Sequence, residues 1–72
     1  MPKFDITFEL RDAHARPYKV IEADSLEAAR NDIGKEFANS LPYIEVSPNP
    51  DLLQLIPKAS IALIHVTEHH GR

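Results

Sequence analysis

From residue 3 to residue 11 the chain alternates. Phe4, Ile6, Phe8 and Leu10 are apolar, and Lys3, Asp5, Thr7, Glu9 and Arg11 between them are polar or charged. A period of two is that of a β-strand with one buried and one wet face. A one-residue slip would expose both phenylalanines, so the pattern also sets the register. Residues 11–16 are polar and short, and Pro17 follows. The run from Pro17 to Ala23, with Tyr18, Val20 and Ile21, predicts a second strand. A connection of this length suits an antiparallel hairpin. It lacks the Asn-Gly or Asp-Gly of a two-residue turn, so the loop is expected to be wide.

The period then changes. Leu26, Ala29, Ile33 and Phe37 fall in one stripe of a 3.6-residue helix, with Glu27, Asn31, Asp32 and Lys35 on the other side. Asp24 or Ser25 can cap its first turn. With Asp24 as the cap, Glu27 completes a variant of the capping box. Gly34 lies at the edge of the stripe, where a missing side chain would permit close backbone approach. It costs the helix about 1 kcal/mol relative to alanine. Asn39 can end the helix in the left-handed conformation, and Pro42 stops it from going much further.

Beyond the helix, Tyr43 to Val46 reads as a short strand. Residues 47–51, with two prolines, form a turn or loop. Leu52 to Ile56 is a second short apolar run, stopped by Pro57. Residues 59–67, ASIALIHVT, are almost continuously apolar and rich in β-branched residues. Such a run predicts a strand buried on both faces, central in its sheet. The expected fold is therefore α+β: a two-layer sandwich with one helix on an antiparallel sheet of four or five strands, in the order β-β-α-β(-β)-β. One domain spans residues 1–72, with residues 68–72 expected to be a flexible tail.

Composition narrows the classes of function. Of 72 residues, 43% are apolar and 26% charged, which argues against disorder. Apolar stretches of only a few residues argue against a membrane protein. The charged, alternating N-terminus is unlike a signal peptide, so a cytoplasmic location is expected. A net charge of −3 argues against nucleic acid as a partner. The absence of cysteine excludes disulfides and thiolate metal sites.

The candidate chemistry is sparse. His65 and His69 have a spacing that would suit one metal ion on a helix. On a strand they stand roughly 13 Å apart, too far to share an ion. No metal site and no cofactor is therefore expected, with His65 packed at a strand edge and His69 and His70 in a solvated tail. Arg11, His14 and Arg16 cluster in the first loop and form a possible anion-binding set, since arginine pairs with carboxylate or phosphate. Glu9 and Asp12 beside them favour an ordinary solvated loop. Arg30, at the margin of the helix stripe, can lay its stem on apolar surface and keep its head in water. The serines occur at caps and turns, and with two glycines in the chain there is no phosphate-cradling loop. No residue is assigned as catalytic.

Two resemblances bear on function. Pro2 followed by the alternating strand Lys3 to Leu10, with a later strand ASIALIHVTE, is similar to the small tautomerases. That resemblance implies an enzyme using Pro2 as an N-terminal general base once Met1 is removed, with Arg11 toward the substrate. The segment Tyr18 to Ala23 adds a strand that the tautomerase unit lacks. A strand, a turn, and Tyr18-Lys19-Val20 leading into DSLEAA resemble small antitoxins that partner an mRNA-cleaving toxin. This implies an antitoxin-like role, and the acidic balance also fits a phage-type inhibitor of a larger machine.

The leading expectation is a non-enzymatic interaction module that oligomerises or binds another protein. One helix can cover only one face of a four- or five-stranded sheet. The last strand would then keep an uncovered apolar surface, formed by Ile61, Leu63, Ile64 and Val66, with Leu53, Leu55 or Ile56 adding to it. Such patches mark interfaces, and a homodimer is the expected way to bury one.

Overall fold

The computed structural model describes residues 2–70, and of Pro48 only the backbone. Five strands and one helix follow in the order β1 (Lys3–Leu10), β2 (Tyr18–Glu22), α1 (Leu26–Ala38), β3 (Tyr43–Asn49), β4 (Leu52–Pro57) and β5 (Ile61–Glu68). A single 3₁₀ turn, Lys58–Ser60, joins the last two strands. The α+β class and the antiparallel pairing are as expected. The single sheet is not: the strands form two sheets, one of order β2-β1-β5 and a separate β3-β4 hairpin. Both short apolar runs are strands, paired across a turn at residues 50–51. No helix of the described residues is long and apolar enough to cross a membrane.

β1 is the central strand of the larger sheet. Ile6 stands opposite Lys19 of β2 and Val66 of β5, and Phe8 stands opposite Ile64. The alternation seen in the sequence sends Phe4, Ile6 and Phe8 to one face, where all three are buried. The helix and the β3–β4 hairpin share that face. Phe4 packs with Ala23 and Ala29, beneath the helix. Ile6 and Phe8 pack with Ile33 from the helix and with Ile44, Val46 and Ile56 from the hairpin.

Local chemistry fixes the ends of the elements. The Ser25 hydroxyl caps the helix by accepting from Ala28 N–H at 3.1 Å, so Ser25 rather than Asp24 is the cap. At the other end Asn39 is extended, not left-handed, and its N–H donates to Glu36 O. The Asn39 carbonyl and side chain both accept from Lys58 Nζ, which ties the helix end to the 3₁₀ turn. In the second hairpin, Asn49 Oδ1 accepts from Asp51 N–H at 2.9 Å, an Asx turn that folds the chain back.

Three expectations are corrected by the packing. Residues 61–68 form an edge strand rather than a central one. Phe37 and Leu26 do not enter the core. Phe37 is 40% exposed and Leu26 53%, and the helix residues buried against the sheet are Ala29 and Ile33. Lys19 Nζ of β2, donating to Glu36 Oε1 at 2.6 Å, fastens the helix to the sheet. Finally, Gly34 makes no close approach within the chain, since a Cβ there would meet nothing within 4 Å. Of the expected tail, Glu68 closes β5 and His69 N–H donates to Lys3 O at 2.9 Å. Gly71 and Arg72 lie outside the described residues, as does Met1, whose removal the tautomerase resemblance requires.

These placements set two mutational expectations. Phe8→Ala should cost about 3–5 kcal/mol, whereas Phe37→Ala should cost about 1 kcal/mol. Urea unfolding of the two variants checks the difference, and equal losses would contradict the helix placement. Gly34→Ala should raise stability by about 0.5–1 kcal/mol, because the methyl meets open space and alanine favours the helix. A lowered melting temperature for that variant would show a contact that the isolated chain does not contain.

Candidate functional site

The hydrogen bonds around β1 establish which way the backbone of β5 faces. Phe8 N–H donates to Pro17 O and Ala23 N–H donates to Pro2 O, so the even-numbered residues of β1 bond toward β2. The bond from His69 N–H to Lys3 O shows the odd-numbered ones bonding toward β5. Thr7 stands opposite His65 and Asp5 opposite Thr67. On β5, therefore, His65 and Thr67 bond to β1, and the N–H and C=O groups of Ile64 and Val66 point to the open side of the sheet.

Above that open edge lies an apolar groove. It consists of two adjoining hollows of about 590 and 340 Å³. Ile64 and Val66 line both, opposite a helix wall that includes Leu26, Arg30 and Phe37. The helix lies over the β5 side of the sheet without closing onto it, so Ile64 and Val66 stay half covered. Its walls carry one acid and one base, Glu27 and Arg30.

The expected interface residues divide. The register shifts between Glu9 and Leu10, so that Glu9 faces Leu63 while Leu10 faces Ile61, and Ala62 is the extra residue of a bulge. The bulge turns Ile61 into the core, where it is 6% exposed and not available to a partner. Ile64 and Val66 are half-buried on the floor of the groove. Leu63 is exposed on the opposite face of the sheet. Leu53 and Leu55 are exposed on β4, away from the groove, while Ile56 is in the core.

The opposite face of the sheet is polar where β1 meets β5. His65 Nε2–H donates to Glu9 Oε2 at 2.6 Å, and Arg16 approaches the same oxygen at 3.7 Å. His69 Nδ1–H donates to Asp5 Oδ1 at 2.7 Å. Each of these histidines thus bridges the two strands to its own carboxylate. The hydrogen bond from His65 holds the Glu9 carboxyl below its ordinary pKa. The Arg16 charge helps, and partial desolvation opposes.

The first loop does not assemble its three basic residues. His14 and Arg16 line one small polar hollow, but Glu9 lines it too. An anion arriving there would meet a carboxylate. Arg11 turns elsewhere and donates from Nε to Ala59 O at 3.2 Å. Pro2 is exposed at the start of β1, and its carbonyl accepts from Ala23 N–H.

Sequence reasoning missed Leu26 and Phe37 as groove walls, because helical periodicity counts them with the core stripe. Arg30 at the margin of that stripe was the available signal. The pairs of Glu9 with His65 and of Asp5 with His69 were also missed, since they follow only from the register of strands far apart in sequence. Comparison with protein families, with curated proteins and with solved structures returns no match to this chain.

The Glu9 pairing sets an acid dependence. A carboxyl whose folded pKa lies below its unfolded value contributes stability that is full above about 4.5, the ordinary value. That contribution is lost as pH falls through the lower folded value. Melting temperatures followed from neutral to about pH 3 should fall less steeply for Glu9→Gln than for the natural chain. Parallel acid limbs would remove Glu9 from the acid response.

Proposed function

We propose that this chain is a non-enzymatic interaction module whose working surface is the groove between α1 and β5. The observation that carries the reading is the coincidence of two unsatisfied features at one place. Ile64 and Val66 present free main-chain donors and acceptors at a sheet edge, and beside that edge lies an apolar hollow. Added strands use the main-chain groups for affinity and neighbouring side-chain pockets for specificity. The polar hollow at Glu9, His14 and Arg16 offers no comparable combination.

The test is a photo-cross-linking side chain introduced at single exposed positions in cells that express the protein. Positions 26 and 37, on the groove wall, should give adducts. Position 32, on the polar side of the helix, should not. Adducts from position 32 alone, or from none of the three, would overturn the reading.

A further inference from the structure

We infer that the occupant of this surface is a second copy of the chain, paired β5 to β5 in antiparallel fashion about a twofold axis at His65. The inference rests on the docking reading above and names its partner. Its first support is the choice of edge. β5 is the eight-residue edge strand, IALIHVTE, with neither lysine nor proline. The other edges carry the usual deterrents: β2 has Lys19 and only five residues, β3 contains Pro48, and β4 ends on Pro57. Proline and lysine are the residues that blunt strand edges against pairing, so the long edge without them is the one open to it.

The second support is self-complementarity. A twofold axis perpendicular to the sheet keeps both copies' helices on the same side and pairs residues of equal parity. From Leu63 onward, past the bulge, only the even-numbered residues of β5 have their main-chain groups free. With the axis at His65, Ile64 exchanges its bonds with Val66 of the second copy, and Val66 with Ile64. Both groove-side pairs are then β-branched against β-branched, a favourable cross-strand combination. Moving the axis to Ile64 would set the bulged Ala62 against Val66. Moving it to Val66 would set Glu68 against Ile64. The His65 register keeps its Ile64–Val66 pairs apolar and clear of the bulge.

The third support is what closes over the seam. A stable interface removes roughly 800 Å² from each partner, and one strand edge supplies only part of that. The same twofold axis brings the two half-covered floors together, with Leu26 and Phe37 of each copy as walls. Each wall contributes Glu27 and Arg30, so opposite charges are available to meet across the seam. The product is a six-stranded sheet with β5 and its mate at the centre.

Two measurements test this. Sedimentation equilibrium of the purified chain, from low micromolar to roughly 100 µM, should show a species of twice the 8.1 kDa protomer mass. A protomer mass throughout would overturn the second copy. Adducts from positions 26 and 37 would then still support docking of a different protein, so the two failures are distinguishable. The register is tested by disulfides, since the natural chain has no cysteine. In the proposed pairing Leu63 stands opposite Thr67 of the second copy at about 4.5 Å between Cα atoms, within disulfide reach. Leu63 and its own mate stand roughly 13 Å apart. Both residues are exposed, so the substitutions spare the core. A mixture of Leu63→Cys and Thr67→Cys should give a mixed disulfide dimer under mild oxidation, and neither variant should link to itself. Self-linking of Leu63→Cys, or a dimer without the mixed link, would overturn the pairing.

Discussion

Everything in this fold leans on β1. Its Phe4, Ile6 and Phe8 are buried on one face, and its two edges hold β2 and β5. The helix, the second hairpin and the start of β5 all find their apolar partners on that row of side chains. Losing any of the three would therefore remove the floor from several elements at once. The opposite side of the same strand fastens β5 through carboxylates, with Glu9 reaching His65 and Asp5 reaching His69. One strand thus sets both the core and the alignment of the edge from which docking is proposed.

A chain of 72 residues has little apolar mass with which to cover such a sheet. Thirteen residues of helix and a two-stranded hairpin share one face. The helix settles where small residues let it come close. Ala29 meets Ala23 and Phe4, and Lys19 bonds Glu36 on the same side. The helix still lies over the β5 side of the sheet, but without closing onto Ile64 and Val66. The exposure of Leu26 and Phe37 and the hollow over Ile64 and Val66 belong to one gap between helix and strand. They are not separate defects in packing.

The parts of the structure legible in the sequence are those that local pattern determines. The period of two in residues 3–11 identified β1 and its buried face correctly, and the cap and periodicity located the helix. Ala29 and Ile33 were correctly placed in the core. Phe37 was not, because periodicity says which residues share a face but not how far along that face the packing extends. The division into two sheets was hidden because no local signal distinguishes a hairpin that joins a sheet from one that packs across it. The bulge at Ala62 was equally hidden, and it decides the fate of Ile61. By alternation alone Ile61 belongs with Leu63, and the extra residue moves it to the face of Ile64.

The disagreement over residues 61–68 is the informative one. Their nearly continuous apolar character is that of a strand with neighbours on both sides and cover on both faces. The isolated chain gives this strand one neighbour and half a cover. A sequence written for the centre of a sheet, placed at its edge, has main-chain groups that water must satisfy and side chains that water opposes. The proposed pairing with a second β5 gives the strand its second neighbour and covers the Ile64–Val66 face, while the Leu63 face stays open. It returns the strand to the central position that its composition implies, and it does so with the residues whose backbone faces outward. The apolar surface on β4, Leu52, Leu53 and Leu55, does not line the hollows over β5, and β4 is stopped by Pro57. Scattered apolar residues of that kind are ordinary on protein surfaces. The weight of the interaction reading therefore falls on β5, where hydrogen-bonding direction, residue pattern and shape coincide.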